Sequence, residues 1–247
     1  MTYLADPEFM CTVTLIPTQE NNFILTSNRD EAINRKTLLP EFYEVNKTRM
    51  LFPKDALAGG TWIGVSDKST MICLLNGGFE IHERLVSYRQ SRGVVVKDLL
   101  EADQLEKAIE LYDCKGIEPF TIVAANWQSD LLLFEFVWDG QQKHLRSLEK
   151  ETHIWSSSTL YTKKMKNVRE EWFADFENKN TLTSDALLNF HKNAGIGDKD
   201  VDLQIDRGFL KTISITQIVK NEEELTMRYE NLQNKEVSSV IFEAITA

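Results

Sequence analysis

A cysteine that directly follows a methionine is the first feature of the chain that can do chemistry. Cys11 follows Met10 and begins the segment CTVTLI, whose alternation and β-branched residues predict a strand. If translation starts at Met10, or if residues 1–10 are a propeptide, Cys11 becomes the N-terminal residue. Its α-amine, with a pKa of about 7.7, can then act as the general base for its own thiol. Alternatively, Cys11 is a buried structural cysteine.

Four polar residues come directly after the next apolar segment. Residues 23–27, FILTS, predict a second strand that forms a hairpin with the first, and the residues Asn28-Arg29-Asp30-Glu31 follow at its end. Such a run often forms a solvated turn, which is the structural interpretation. In the functional interpretation it lies beside Cys11: Asp30 accepts a hydrogen bond from the α-ammonium or orients the thiol. Arg29 then fixes a carboxylate or steadies Asp30.

Two glycine-flanked segments carry further candidates. Gly59-Gly60-Thr61-Trp62-Ile63-Gly64 allows the backbone to approach a ligand or another strand closely, and Trp62 suits a core or a pocket wall. The segment has no phosphate-loop lysine, which argues against nucleotide binding. Asn76 ends the predicted strand TMICLLN before two glycines. It is either a turn residue or an oxyanion donor, for which one donor contributes about 2.7–4 kcal/mol to catalysis.

The elements that must position these residues alternate between strands and helices. Two groups of antiparallel strands with helices between them predict an α+β fold in layers. Residues 1–10 are predicted to be an N-terminal extension, and residues 11–247 a single domain. Residues 32–58, with Pro40 and Pro53, are predicted to be irregular. The other segments are predicted to be helices at 91–113, 160–176 and 183–193, and strands at 61–66, 70–76, 119–127, 130–140, 209–220, 224–230 and 237–244, with shorter strands at HLRSLEK and HIWSSS.

Composition excludes several classes of function. The chain has 247 residues, 42% of them hydrophobic, and a formal net charge of −10, which disfavours nucleic acid and anionic lipid as partners. Three widely spaced cysteines without a CxxC pair indicate a reducing compartment, and the first ten residues do not resemble a secretory signal. No apolar run is long enough for a membrane span. We therefore predict a cytoplasmic protein that needs no cofactor.

Taken in order, the segments Met10-Cys11-Thr12, NRDE, GGTWIG, Leu75-Asn76 and Ser91-Arg92-Gly93 resemble the NRDE family, the family of the transport and Golgi organization 2 proteins. That family is similar to the cholylglycine hydrolase and penicillin V acylase branch of the N-terminal-nucleophile (Ntn) hydrolases. The resemblance implies a four-layer αββα sandwich. It also implies that Cys11 matches the nucleophile, Asp30 the acid and Asn76 the oxyanion amide.

The chain departs from the acylase branch at three places. The arginine that lies three residues before the acid in that branch falls on Ser27 here, and a second asparagine falls on Ser157. The late Gly-Thr-Arg segment of the NRDE proteins appears as Lys211-Thr212-Ile213, without the arginine.

Three functions compete. The first is an amidohydrolase that cleaves a non-peptide C–N bond of a small-molecule amide through a thioester on Cys11. The second is a non-catalytic carrier of an apolar ligand, because the animal members of the family are associated with Golgi organization, lipid handling and haem trafficking. The third is a structural domain. The predicted catalytic residues are Cys11, Asp30, Asn76 and Arg29, and the predicted substrate-binding residues are Asn28, Gly60, Thr61, Trp62 and Ser157.

Overall fold

The computed structural model describes residues 11–222 and 224–243, which form an α+β sandwich of two antiparallel sheets and four helices. The strands are β1 (Thr12–Pro17), β2 (Phe23–Ala32), β3 (Thr37–Val45), β4 (Thr48–Asp55), β5 (Ile63–Ser66), β6 (Thr70–Asn76), β7 (Phe120–Asn126), β8 (Leu132–Trp138), β9 (Lys143–Leu148), β10 (His153–Ser156), β11 (Leu210–Asn221), β12 (Glu224–Asn231) and β13 (Val237–Glu243). The helices are α1 (Arg92–Leu100), α2 (Leu105–Leu111), α3 (Lys163–Lys179) and α4 (Ser184–Asn193). The predicted extension, residues 1–10, lies outside the described residues.

The order of strands brings the predicted site to neighbouring positions. Within the described residues, one sheet has the order β10-β1-β2-β11-β12-β13 and the other β3-β4-β5-β6-β7-β8-β9. In the first sheet Thr12 pairs with Asn28 and also with Ser156, so the start of β1 lies between the NRDE segment and the end of β10. This hairpin of the first two strands confirms the prediction.

The four layers form because each sheet has one apolar face toward the other sheet and one toward helices. One face of β1 and β2, with Val13, Leu15 and Leu25, packs in the main core with residues of the second sheet. The opposite face, with Ile16 and Ile24, packs against Phe173 of α3 and against α4. Helix α1 contacts β5 and β6 of the second sheet. The predicted αββα sandwich is therefore the observed fold.

The structural interpretation of the NRDE segment, a solvated turn at the end of a strand, is wrong. All four residues belong to β2 and are at most 6% exposed. The reason is that β11 pairs with β2 as far as Ala32, so the strand is held on both sides. The polar side chains of the segment find their hydrogen-bond partners in elements that are distant in the sequence. These partners cannot be predicted from the neighbouring residues alone.

The prediction of an irregular segment at 32–58 is wrong, because β3 and β4 form a hairpin there. Its turn is Asn46-Lys47, and both residues have a positive φ, as the tight hairpin turn requires. Pro40 lies where the register between the two strands shifts, and β3 is at the edge of its sheet. A proline is tolerated at such positions because no ladder hydrogen bond is needed from its nitrogen.

The remaining elements agree with the prediction to within a few residues. The strand at 70–76 has the predicted bounds, and Thr183 caps α4 by accepting a hydrogen bond from the Ala186 amide. The region 91–113 divides into α1 and α2. Among the helices of the described part of the chain, none is long and apolar enough to cross a membrane.

Candidate functional site

Cys11 is completely buried immediately before β1. Its carbonyl oxygen accepts a hydrogen bond of 3.1 Å from the Ser157 amide. Burial raises the pKa of the Cys11 thiol well above its ordinary value, and the nearby Asp30 carboxylate raises it further. Arg29 and a hydrogen bond from the Asp30 backbone act in the opposite direction. The thiol is therefore protonated at neutral pH, and a reaction at its sulfur needs a base.

The Asp30 carboxylate is held by two hydroxyl groups. Tyr161 Oη donates to Oδ2 at 2.5 Å and Thr212 Oγ1 donates to Oδ1 at 2.6 Å. Burial raises the pKa of Asp30, while Arg169 and the two hydroxyl groups lower it. Arg169 is completely buried and lies 3.6 Å from the centroid of the Tyr161 ring. Asp30 is thus a rigidly oriented acid.

Tyr161 and Arg169 lie in no motif of the sequence that predicts a site residue. Both lie more than 130 residues from Asp30 along the chain, and no local motif connects them with it. The one available signal was that Arg169 shares the buried face of α3 with Phe173. Thr212 belongs to the late segment that was compared with the family motif, but no role was assigned to it.

Asn76 ends β6 with a buried side chain that is 1% exposed. Within the described residues, neither its amide nitrogen nor its amide oxygen has a hydrogen-bond partner. Its backbone carbonyl accepts a hydrogen bond of 2.7 Å from Ser157 Oγ. Because the Ser157 amide also binds the Cys11 carbonyl, Ser157 joins the start of β1 to the end of β6.

A cleft opens beside Asn76 and encloses about 460 Å³, including the part open to solvent. The predicted residues that line it are Arg29, Gly60, Thr61, Trp62 and Asn76, and the others are Glu31, Arg35, Asp55, Ala58, Leu74, Ser91, Arg92 and Gly93. Cys11, Asp30, Asn28 and Ser157 are outside this lining set.

Arg29 is fixed by the second sheet and not by Asp30. Its guanidinium donates to Asp55 Oδ2 at 2.7 Å, lies 3.4 Å from the Glu31 carboxylate and stacks 4.1 Å from the centroid of the Trp62 ring. Successive side chains of a strand point to opposite faces, which separates Arg29 from the Asp30 carboxylate. Burial acts to raise the pKa of Asp55, but hydrogen bonds from the Ala58 backbone and Arg35, together with the charge of Arg29, lower it.

Asn28 makes its contacts away from the cleft, among the helices. Its amide nitrogen donates to the carbonyl oxygens of His191 and Leu203 at 3.1 and 2.7 Å. Its amide oxygen lies 2.8 Å from Nδ1 of His191, which therefore donates to it, and Nε2 of His191 lies 2.9 Å from the Thr14 hydroxyl. Burial lowers the pKa of His191 to about 3. The structure thus gives Asn28 a set of structural contacts.

Two other predicted residues, Thr61 and Gly60, fix the path of the backbone beside the cleft. Thr61 donates its hydroxyl to the carbonyl oxygens of Pro53 and Ile63 at 2.7 and 2.8 Å. Gly60 lies against Gly93, and a Cβ at Gly60 would come within 3.0 Å of the Gly93 carbonyl carbon. Within the described ranges, no group of three or more His, Cys, Asp or Glu residues is placed to hold a metal ion.

The fold is similar to that of several solved Ntn hydrolases. An N-acylethanolamine-hydrolyzing acid amidase orthologue from Caenorhabditis elegans matches with a TM-score of 0.58 and 11% identity, over 85% of this chain and 92% of that one. Penicillin V acylase from Agrobacterium tumefaciens gives 0.56 and 10%, over 93% and 86%. A mutant conjugated bile acid hydrolase from Clostridium perfringens gives 0.53 and 9%, over 94% and 92%. The protein therefore has the fold class of the Ntn hydrolases.

Within that class, the chain belongs to the Transport and Golgi organisation 2 family, whose model matches residues 10–245. The predicted resemblance to the NRDE family is thereby confirmed. No curated protein sequence is significantly similar to the chain.

Proposed function

We propose that the protein is a cysteine-dependent amidohydrolase in which Cys11 attacks the carbonyl carbon of a small-molecule amide. The observation that carries the proposal is the buried side-chain amide of Asn76, which has no hydrogen-bond partner within the described residues. Asn76 lines the cleft, and its backbone carbonyl is joined to Cys11 through Ser157. Unsatisfied buried polar groups are rare in folded proteins, and a substrate oxygen would accept a hydrogen bond from the amide nitrogen of Asn76. The solved structures with this fold include enzymes named as hydrolases or acylases of amide substrates, which supports the same reaction class.

The protonated thiol favours the Ntn type of mechanism. The histidine side chains hydrogen-bond elsewhere, to Glu118, Asp139, the Glu149 carbonyl and Asn28. In the proposal, removal of residues 1–10 frees the α-amine of Cys11, which takes the proton from its own thiol. Asp30, held by Tyr161 and Thr212, accepts a hydrogen bond from the resulting ammonium group.

The proposed reaction has two stages. The sulfur attacks the carbonyl carbon, and the Asn76 amide stabilises the oxyanion that forms. The C–N bond then breaks, and the α-ammonium group returns its proton to the leaving amine. Water, deprotonated by the α-amine, attacks the thioester, and the acid product leaves with the thiol restored.

A non-catalytic carrier is the second candidate. The observation that favours it is that Cys11 is completely buried and outside the lining of the cleft. In that function the cleft binds an apolar ligand or haem without turnover, and Cys11 remains an internal residue.

The deciding experiment measures the intact mass of the protein and its turnover of amide substrates. The intact mass of the protein, expressed with its native start region, is expected to correspond to a chain that begins at Cys11. That chain is then screened against N-acyl amides, with Cys11→Ala as the inactive variant and Cys114→Ala as the matched control, since Cys114 is also buried. A mass that retains residues 1–10, together with no turnover of any of these amides by the parent chain, would overturn the hydrolase and favour the carrier.

A further inference from the structure

Two further polar atoms of the cleft lack a hydrogen-bond partner within the described residues. They are Nε1 of Trp62, a side chain that is 4% exposed, and the hydroxyl of Ser91. Both residues line the cleft together with Asn76. An indole N–H is only a donor, so the atom that satisfies it must be an acceptor. The cleft therefore presents a buried donor to an oxygen of a ligand.

The first turn of α1 provides donors at the same place. Ser91 is the N-cap residue of this nine-residue helix, but its side chain makes no capping hydrogen bond. The N–H groups at a helix start carry a partial positive charge, although that of Val94 already donates to the Ser91 carbonyl at 3.1 Å. Arg92 and Gly93 of this turn line the cleft. A helix start with these features favours a carboxylate or another small anion.

Two glycines hold this turn against the segment that carries Trp62. A Cβ at Gly93 would lie 2.9 Å from the carbonyl oxygen of Thr61, and a Cβ at Gly60 would lie 3.0 Å from the carbonyl carbon of Gly93. Any side chain at either position would therefore push the two backbones apart. The close approach keeps the indole N–H and the start of α1 in one cleft.

The charges of the cleft also favour an anion. Arginines 29, 35 and 92 line it, against the carboxylates of Glu31 and Asp55, so the lining has an excess of one positive charge. Behind the lining, Glu118 pairs with Arg92 at 3.2 Å and with Arg84 at 2.9 Å, so the excess of one positive charge remains when this pair is included. This local excess lies in a protein with a formal net charge of −10. The net charge of the cleft lining is therefore positive, whereas the net charge of the whole protein is negative.

We propose that Trp62 Nε1, Ser91 and the N-terminus of α1 form a subsite for a carboxylate, and that the amide substrate carries this carboxylate next to its scissile bond. The inference rests on the proposed function, because Asn76 in the same cleft is assigned to the carbonyl oxygen of the amide. It adds the substrate class, which is the N-acyl amino acids.

The test compares two ligands that differ only in charge. N-octanoylglycine carries the carboxylate, and N-octanoylglycinamide replaces it with a neutral amide of the same shape. Binding to the Cys11→Ala chain is measured by titration calorimetry and by the NMR signal of the Trp62 indole N–H, which Trp62→Phe identifies. The acylglycine is expected to bind at least about tenfold more tightly, a preference that corresponds to 1.4 kcal/mol. It is also expected to shift the Trp62 signal.

Variants of the subsite test the residues. Trp62→Phe and Ser91→Ala are each expected to reduce the preference for the charged ligand, whereas the matched controls Trp172→Phe and Ser147→Ala keep it. Equal affinities, no binding of either ligand, or an unchanged preference in both subsite variants would overturn the inference. A shift of the Trp62 signal by inorganic phosphate but not by the acylglycine would also reject the carboxylate assignment.

Turnover separates this inference from the proposed function. If the Cys11 chain hydrolyses both ligands at the same rate, the hydrolase stands and the carboxylate subsite is wrong. If it binds the acylglycine preferentially without hydrolysing it, the subsite stands and the hydrolase is wrong.

Discussion

Asn76 is the residue whose environment is hardest to explain by folding alone. Placing an amide in the interior without hydrogen bonds costs stability, because water no longer solvates it. The side chain of Asn76 is in this situation, whereas its backbone is held by Ser157 and by the pairing of β6 with β7. A ligand oxygen in the cleft would remove the part of this cost that comes from the amide N–H.

Replacing Asn76 with alanine should separate activity from stability. The Asn76→Ala variant is expected to lose about 100- to 1,000-fold in kcat, the effect of removing one oxyanion donor. Its free energy of unfolding should hardly fall, since no hydrogen bond is lost. Kinetics with an N-acyl amide and urea unfolding measure the two quantities.

Asn126→Ala is the matched control for this prediction. The Asn126 amide donates to Thr70 Oγ1 at 3.0 Å, so its loss should cost about 1 kcal/mol of stability and leave kcat unchanged. Equal effects of the two substitutions on kcat would contradict the role assigned to Asn76.

At the scale of residues, the sequence predicted those that lie in or beside short motifs. Cys11 was found because it follows Met10 at the start of a predicted strand, and Asn76 because it ends a predicted strand before two glycines. Tyr161, Arg169 and His191 were not assigned roles, because their partners Asp30, Thr12 and Asn28 are distant in the sequence. A buried ion or hydrogen-bond partner leaves no periodic signal, so tertiary contacts of this kind are not predictable from one chain.

Helix α4 is attached to the first sheet through a neutral histidine. Because Nε2 of His191 accepts a hydrogen bond from Thr14 and Nδ1 donates to Asn28, protonation would remove the acceptor. The pKa of His191 in the folded protein is lowered to about 3, compared with 6.5 for an ordinary histidine. Between these two values the unfolded chain binds one proton more than the folded one, so stability is lost as the pH falls.

The His191→Gln variant is expected to lose the part of the pH dependence of stability that His191 causes. In the parent protein, His191 alone is expected to lower the free energy of unfolding by about 1.4 kcal/mol for each pH unit below 6.5, until the pH approaches 3. Urea unfolding between pH 6 and 4 measures the slope. The variant should have a slope that is smaller by this amount; identical slopes would mean that His191 titrates normally in the folded protein.

Helix α1 packs on the second sheet through a glycine. A Cβ at Gly64 would lie 2.9 Å from Leu100 Cδ1 and 3.1 Å from Phe52 Cβ. Gly64→Ala is therefore expected to destabilise the protein by about 1–3 kcal/mol through overpacking. In a Leu100→Ala background the same substitution should cost less, because the space has been freed. Additive losses in the urea unfolding of the double variant would show that Leu100 is not the obstacle.

At the scale of elements, the sequence predicted what is periodic. The apolar run of β6, which is buried on both faces, gave the observed bounds, and the apolar spacing of α4 gave bounds within one residue. The hairpin of β3 and β4 was missed because prolines normally interrupt strands. Pro40 is accommodated by the register shift at the edge of the sheet, and such a shift has no signature in the sequence.

The whole molecule depends on contacts between its two sheets as well as on the core. Arg29 of the first sheet reaches Asp55 of the second at 2.7 Å, and Asp55 also binds Arg35 at 2.8 Å. The Asp55 side chain further accepts hydrogen bonds of 2.9 Å from the amides of Leu57 and Ala58. These contacts hold one wall of the cleft at the junction of the sheets.

The two partners of this ion pair should respond unequally to substitution. Asp55→Ala leaves the buried Arg29 without its closest carboxylate and frees two backbone amides, so it is expected to cost about 3–5 kcal/mol of stability. Arg29→Met is expected to cost less, because Arg35 still neutralises Asp55 and the methionine side chain can pack in the same space.

Urea unfolding of both variants measures this asymmetry. Arg146→Met serves as the control, since Arg146 pairs with Glu135 at the surface and its side chain is 65% exposed, a context in which the loss is about 0–1 kcal/mol. The asymmetry arises because Asp55→Ala leaves the buried charge of Arg29 without its closest carboxylate, which is costly. Arg29→Met leaves Asp55 paired with Arg35, which is not. If Arg29→Met proved the more damaging substitution, the sheets would be joined mainly by the stacking of Arg29 on Trp62, and the cleft wall would depend on that contact instead.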